Sequence, residues 1–428
     1  MPRTRVPGAV LQAGCLGALC LALAAGAGRA AEQAAPLSLR QALETASARD
    51  AGISGNRQKI ARQTTNIQSA KDALRPSLAL AGDTTSVGDN IPVATLTLSQ
   101  VLFDWGLARS KIRSASQARI KAVADLKSAV EDLALNVANL YIEVAIDKIK
   151  LRKTQDYLEF AQRIEKVSNR RVTAGAADRS EIARARLEVA RAQDQIAQLD
   201  SDRQTAMTEL EFYTGQPVAE IGPPPALSVT RRFKSSAAVI RAAMNAPDYL
   251  SAKAEVQIAA AAVDTARASR KPKIILKAVG LQELDGGHGT SASIGITTSL
   301  SFDAGNLAGR GVQGARQDLA AAKANQLAVE RKLQNQLRTY VSQIQSLATT
   351  EQAQSAQLTQ AEAVRQVYEQ QFTGGQRELV DVLTAGRDLY DAQIDETDTF
   401  SQRLKTEYEA AHAVGMLGSL IIASGKRN

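Results

Sequence analysis

The sequence predicts a mainly α-helical protein with a small β part, built as two repeats of one helix-strand-strand-helix unit. Three observations carry this reading. Two long stretches, Leu107 to Ala174 and Ala315 to Thr373, contain neither glycine nor proline, the two strongest local breakers of a helix. Four short segments alternate apolar and small polar residues with the period of a strand. Motifs of the first half recur in the second about 200 positions later, which marks a duplication of a whole unit.

The 428 residues have room for two or three ordinary domains or one elongated one. Residues 1–30 read as a secretory signal: Arg3 and Arg5 precede an apolar run from Val10 to Ala25, and Gly28-Arg29-Ala30 offers a small-residue cleavage site. Both cysteines, Cys15 and Cys20, lie in that segment, and neither has a lipoprotein signal around it. The expected mature chain therefore has no disulfide, thiolate ligand or cysteine nucleophile. Without Arg3, Arg5 and Arg29 the net charge falls from +8 to +5. The remaining charges alternate in sign along helical stretches such as Arg179 to Arg191, as on solvated helix faces. With aromatics at 4% and no clustered basic face, nothing points to nucleic acid.

In the first long stretch Leu126, Val130, Leu133, Val137, Leu140 and Val144 alternate spacings of four and three. Leu333, Leu337, Tyr340, Ile344 and Leu347 do the same in the second. This is the seam of a coiled coil. The strands are expected over Ser77 to Thr84, Val93 to Phe103, Lys273 to Leu281 and a last segment with Ile294, Ile296, Leu300 and Phe302 on one side. Each approaches the ~9 to 11 residues that cross an outer membrane when tilted. A soluble half-buried sheet alternates in the same way; number separates the two, because four strands cannot close a barrel and lipid tolerates no open edge. Several chains must then share one barrel.

The repeat is visible motif by motif. Arg75-Pro76 precedes one first strand and Lys271-Pro272 the other; "VLFDWG" (101–106) corresponds to "LSFDAG" (300–305), and "RRVTAGAADRSEI" (170–182) to "QQFTGGQRELVDV" (370–382). The expected divisions are a first repeat over 31–215, a proline-rich crossing segment over 216–232, a second repeat over 233–423 and a tail over 424–428. Enzymatic readings find little support. Gly309, Gly311 and Gly314 spell GxGxxG between a strand and a helix, but the preceding strand alternates, unlike a buried parallel strand. His288, in a turn, and His412, near the C-terminal end, lack metal-ligand spacing, and no nucleophile-base pair and no paired carboxylates in a pocket-like context are found.

The signal segment, the duplicated plan, the "LFDWG" and "SFDAG" junctions and the paired "VTAG" and "FTGGQRELVDVL" hairpins together resemble the TolC-like outer membrane efflux proteins. The resemblance covers the expected mature chain. It implies a homotrimer whose chains give four strands each to one twelve-stranded barrel in outer membrane lipid of a Gram-negative bacterium. The long helices then continue as a coiled-coil barrel through the periplasm. It implies no enzyme and no cofactor, but an exit duct completed by a periplasmic adaptor (membrane fusion) protein and an inner-membrane pump. "QQFTGGQRELVDVL" looks closest to the type I protein secretion branch, with an ABC exporter as the pump. Small-molecule efflux with a proton-driven pump is the alternative, and a periplasmic coiled-coil scaffold is a third reading that leaves the strands unexplained.

By the same resemblance Gly175, Gly374 and Gly375 mark the periplasmic hairpin tips. Arg377 ties down the second hairpin through Ser180 and Glu181 of the first, and Asp381 contributes to an acidic ring. Asp388, two helical turns on, is a candidate for another. The sequence departs from the family at Thr384, where a second acid is expected, and at Phe372, where an aromatic hydroxyl is expected. Plainer physics accounts for some of this: an acid such as Asp381 in a first turn is favoured by the helix dipole, and Arg377 alone reads as a solvated charge.

Overall fold

The computed structural model describes residues 36–83, 92–284, 290–300 and 309–424. The signal segment, His288 and residues 301–308 with Phe302 and "SFDAG" fall outside them, as does most of the tail. Helices α1 (Leu39–Arg49) and α2 (Ala51–Asp72) lead into β1 (Ser77–Asp83) and β2 (Val93–Phe103). Then come α3 (Leu107–Thr173), α4 (Arg179–Thr214), α5 (Val229–Arg232), α6 (Ser236–Asn245) and α7 (Pro247–Ala268). Strands β3 (Lys273–Glu283) and β4 (Thr290–Ser299) follow, then α8 (Arg310–Thr373), α9 (Leu379–Ala413) and α10 (Leu417–Ser424).

The two breaker-free stretches are single helices of 67 and 64 residues, each about 100 Å long at 1.5 Å per residue. The predicted seams are their buried stripes. Leu133, Val137 and Val144 of α3 and Leu333, Leu337 and Ile344 of α8 are buried, and the remaining seam positions are half-buried. Elsewhere α8 is almost bare, burying beyond its seam only Val312 and Phe372.

In the first repeat the long helix starts where the strand ends, and the reason is local. Asp104 accepts hydrogen bonds from the backbone N–H groups of Gly106 (3.0 Å) and Ala108 (2.7 Å), supplying acceptors that the first turn of α3 lacks within the helix. Gly106 takes a left-handed conformation (φ 86°). Trp105 donates its indole N–H to the Pro272 carbonyl (2.8 Å), and Lys271 lies over its ring. "FDWG" is thus a turn that locks the exit of β2 to the entrance of β3. In the second repeat Gly309 (φ 69°) plays the part of Gly106, while Gly311 and Gly314 are helical residues of α8 facing open space. The GxGxxG glycines follow the entry of a helix and shape no phosphate cradle.

The four strands form one antiparallel sheet in the order β1-β2-β3-β4. Its register aligns Leu78 with Leu98, Leu80 with Leu96, Ala278 with Ile294 and Leu276 with Ile296, so the predicted alternation puts leucine and isoleucine on one face. Leu80 is 77% exposed and Ile294 75%. A bulge between Val101 and Phe103 ends the regular pairing of β2, and Leu300 lies beyond the end of β4. No helix among the described residues is long and apolar enough to cross a membrane.

The main core lies at mid-length of α3. Here Leu39 and Leu43 of α1, Val137, Tyr141 and Ile142 of α3, Leu210 of α4, Leu404 and Tyr408 of α9 and Leu417 of α10 pack together. The crossing segment passes through this core: Val218, Ile221 and Leu227 are buried in it, and Leu37 bridges Ile221 as a short parallel pair. The Tyr141 hydroxyl lies 2.8 Å from the carbonyl oxygens of both Leu37 and Gly222, and Tyr408 donates to the Pro225 carbonyl at 2.8 Å. Burial pushes the Tyr141 phenol up to about 12. The last residues of the expected linker form α5 instead of continuing as extended chain, after a left-handed Ser228 (φ 53°).

Asp147 of α3 is 8% exposed and one of its carboxylate oxygens is buried without a partner. Burial, with Glu143 nearby, raises its pKa from 3.8 to about 6. The folded state thus holds the proton more tightly than the unfolded one, and ionisation costs stability as pH rises from about 4 to above 6. Asp147→Asn is expected to stabilise the protein on the order of 2 kcal/mol more at pH 7.5 than at pH 4.5. Thermal unfolding of detergent-solubilised protein at the two pH values checks this; equal shifts at both would refute it.

Candidate functional site

The two helical hairpins end in turns of one geometry. In the first, Gly175 is left-handed (φ 74°); the Gly175 N–H donates to the Val172 carbonyl (3.0 Å) and the Ala176 N–H to the Arg171 carbonyl (2.8 Å). In the second, Gly375 (φ 77°) donates to Phe372 (3.0 Å) and Gln376 to Gln371 (2.8 Å). Both are Schellman caps, which give partners to carbonyls at the end of a helix and require the left-handed residue. Asp178 and Glu378 then open α4 and α9 with the same backbone angles, φ −82° and ψ 155°. The adjacent glycines differ: Gly375 carries the left-handed turn, whereas Gly374 is an ordinary right-handed residue (φ −79°) in the place held by Ala174.

The charged residues after these turns are placed as follows. Arg377 lies over the ring of Tyr368 (4.0 Å to the centroid), donates to the Gln371 side chain (3.1 Å) and meets Asp381 at 3.5 Å. All three partners belong to its own hairpin. Glu181 instead pairs with Arg171 of its own hairpin at 3.2 Å, and the Ser180 backbone N–H donates to the capping carboxylate of Asp178. The structure therefore does not bring Arg377 to Ser180 or Glu181 within the chain. Asp381 is half-buried and Asp388 exposed, and with the exposed Thr384 they fall on one side of α9 by helical spacing. Phe372 is fully buried beneath the guanidinium of Arg171 (4.8 Å to the ring centroid), so its ring serves the packing between hairpins. An aromatic hydroxyl is present one turn earlier, at Tyr368.

At the tips Arg171 also donates to the Phe372 carbonyl (3.5 Å) across the hairpins, and the ion pairs that join them lie above. Glu188 of α4 is buried, and Arg387 of α9 reaches both of its carboxylate oxygens while Arg191 meets it at 3.2 Å. Lys153 of α3 donates to the Gln393 carbonyl (3.0 Å) and contacts Thr397 (2.9 Å) and Glu396 (3.3 Å) of α9, and Lys150 pairs with Asp398 at 2.5 Å. Glu188 belongs to the first hairpin and Glu396 and Asp398 to the second, so the ion pairs cross in both directions, and the apolar layer of Tyr157, Phe160, Ile164, Phe372, Leu379 and Val382 lies beside them. Sequence reasoning missed Glu188 and Arg387. Along "RSEIARARLEVARAQ" Glu188 looks like any solvated charge, and only the docking of α9 buries it. Among the described residues no cluster of acids or histidines has the makings of a metal site; His412 is paired with Asp132 at 2.7 Å.

A family profile described as "Outer membrane efflux protein" matches residues 40–216 and again 239–415. The chain belongs to that family. The two matched segments have equal length and start 199 positions apart, which makes the duplication read from the motifs a property of the family itself. The outer membrane efflux proteins are channels rather than enzymes, and membership places this one at the outer membrane. It is 28% identical over 311 residues to the pyoverdine export outer membrane protein OpmQ of Pseudomonas putida, an alignment covering 70% of this chain and 65% of that protein. The OpmQ of Pseudomonas aeruginosa is 25% identical over 346 residues, 76% of this chain and 70% of the relative. The chain thus spans about two thirds of the length of these relatives. Among solved structures, the outer membrane protein VceC of Vibrio cholerae superposes with a TM-score of 0.78 at 18% identity, over 88% of this chain and 96% of that one. CusC superposes with 0.75 at 16% identity, over 88% and 91%. These likenesses show the channel-tunnel fold.

The efflux protein's two tip glycines are expected to respond differently to the same substitution. Gly375→Ala puts a Cβ on a left-handed residue and should cost about 1 kcal/mol. Gly374→Ala adds a Cβ at 3.6 Å from the nearest carbonyl oxygens, an ordinary contact, and should be neutral or slightly stabilising. Paired denaturation curves decide it, and equal losses would refute the assignment of the left-handed role.

Proposed function

We propose that the chain acts as a trimeric exit duct of a tripartite exporter, with small molecules as its cargo. The observation that carries the trimer is the sheet. Among the described residues it has two open edges, β1 and β4, and an apolar face that no helix covers. A lipid-exposed sheet must close on itself, and three copies of four strands make twelve, joined β4 to β1 around an axis. The long polar reach of α8, with Leu327, Val364 and Val367 exposed, fits a wall that neighbouring copies complete. Energy and substrate choice then come from a periplasmic adaptor and an inner-membrane pump.

For cargo, the sequence favoured type I protein secretion on the wording of one hairpin. The relatives OpmQ are named for pyoverdine export, and this supports small-molecule efflux over protein secretion. The gate is proposed at the tips. Copies of Asp381, and of Asp388 on the same side of α9, brought around one axis would repel each other and attract cations. The ties of Arg377 within its own hairpin support a role in holding α9 in place, and any partner it has at Ser180 or Glu181 would belong to a neighbouring copy. Ion pairs of this exposed kind hold weakly, about 1 kcal/mol or less each, as a gate that opens on docking requires.

Deletion of the protein is expected to raise sensitivity to dyes and detergents or to stop release of a small secreted compound, and to leave the secreted protein profile intact. Loss of one large secreted protein with unchanged tolerance would reverse the choice of cargo. Outer membrane fractions should yield heat-modifiable trimers in detergent; a soluble periplasmic monomer would end the duct reading. In planar bilayers Asp381→Asn should weaken cation block and Arg377→Ala should raise conductance, and unchanged values for both would remove these residues from the gate.

A further inference from the structure

We infer that Lys277 of β3 sets the charge preference of the sheet end of the duct: three copies brought around one axis favour anionic over cationic cargo in the lumen there. The inference rests on the trimeric reading above. It deepens that reading by naming the class of small molecule that this segment passes most readily.

The register of the sheet decides where Lys277 points. Residues opposite each other in antiparallel strands share a face, and successive residues alternate between faces. Leu78, Leu98, Ala278 and Ile294 form one row across the four strands, on the apolar face. The adjacent row is Ser77, Ser99, Lys277 and Gly295, and it turns to the opposite side. The charged residues within the four strands are Asp83, Lys273, Lys277 and Glu283. By the same alternation all of them fall on the face of Lys277. A barrel in lipid turns its apolar face outward, so this second face lines the lumen.

Lys277 is exposed and has no hydrogen bond or ion pair among the described residues. Its neighbours in the row, Ser99 and Gly295, are too small to cover it, and the Ser99 hydroxyl is engaged with that of Ser77 at 2.7 Å. Lys273 shares its face at the helical end of β3, whereas Asp83 and Glu283 share one row at the opposite rim. Twelve tilted strands spaced about 4.8 Å apart close to a backbone cylinder about 24 Å across. A lysine stem reaches roughly 6 Å inward from that wall, which leaves three ammonium groups about 6 Å from the axis. That is inside the ~10 Å over which a charge acts at 0.1 M salt and outside the ~3 Å at 1 M. An anion on the axis thus meets three unpaired cations at once. The rim acids lie about 20 Å farther along the strands, some two screening lengths away.

The test uses the purified full chain in planar bilayers, with Asp381→Asn and Asp388→Asn as the background so that the tip acids add nothing to the selectivity. Reversal potentials in a KCl gradient give the permeability of chloride relative to potassium. At about 0.1 M salt this ratio should fall about fivefold on Lys277→Ala, hold on Lys277→Arg and fall further on Lys277→Glu. At 1 M salt the variants should agree to within about twofold, because screening removes an effect of charge and leaves an effect of pore width in place. Lys277 lies on an exposed sheet face, so these changes leave the packing intact, and heat-modifiable migration checks that each variant is a trimer. Equal ratios for Lys277 and Lys277→Ala, or a difference that persists at 1 M, would overturn the inference and leave the duct standing. Absence of trimers or of any channel current would overturn both.

Discussion

A helix of 67 residues presents far more surface than one apolar stripe can bury, and the organisation of this protein follows from where that stripe is covered. On α3 the stripe meets α7 near the sheet, α1 and the crossing segment at mid-length, and α4 and α9 toward the tips. Each partner is short or turns back at a glycine, so the cover is assembled piecewise along one continuous support. At mid-length, elements of both repeats and the segment between them meet. There the hydroxyls of Tyr141 and Tyr408 supply hydrogen bonds to carbonyls of chain that forms no regular structure. A buried carbonyl without a partner costs on the order of 1 to 3 kcal/mol, so these two phenols allow the linker to lie inside the core rather than on the surface.

The two ends of the molecule solve different problems. At the sheet end the apolar residues face outward and the edges stay open, which makes sense only in contact with lipid and further copies. At the hairpin end the apolar layer is internal and thin, and polar contacts reinforce it. Glu188 is the buried member of this set, clasped by Arg387 from the other hairpin. A buried carboxylate with two arginines discriminates sharply between docked and undocked hairpins, because parting them leaves a charge in a poorly hydrated place. The tip residues Arg377 and Glu181 have their partners within their own hairpins. The chain therefore has its charged joint above, and at the tips the hairpins meet through Arg171 on Phe372.

Much of this was legible in the sequence. The long helices, the matching glycines at 175 and 375 and the alternating strands follow from local rules: the absence of breakers, the need for a left-handed cap, and the two-residue period of a pleated strand. "LFDWG" also announced a strand-to-helix junction, although the bond from Trp105 to Pro272 that gives its indole a purpose joins residues far apart in the chain. Phe372 read as a missing hydroxyl at the tip and is instead part of the packing between hairpins, with Tyr368 one turn away beside Arg377.

Sequence by itself thus determined the kinds of element, their order, the duplication and the chemistry available at the tips, because each depends on residues close in the chain or on a repeated pattern. Tertiary structure alone decided which charges are buried, which arginines cross between hairpins, and that Gly386 is needed to seat Phe160. Those features arise where helices distant in sequence come within a few ångströms. Burial and pairing are properties of that contact, and no residue carries them in its own identity.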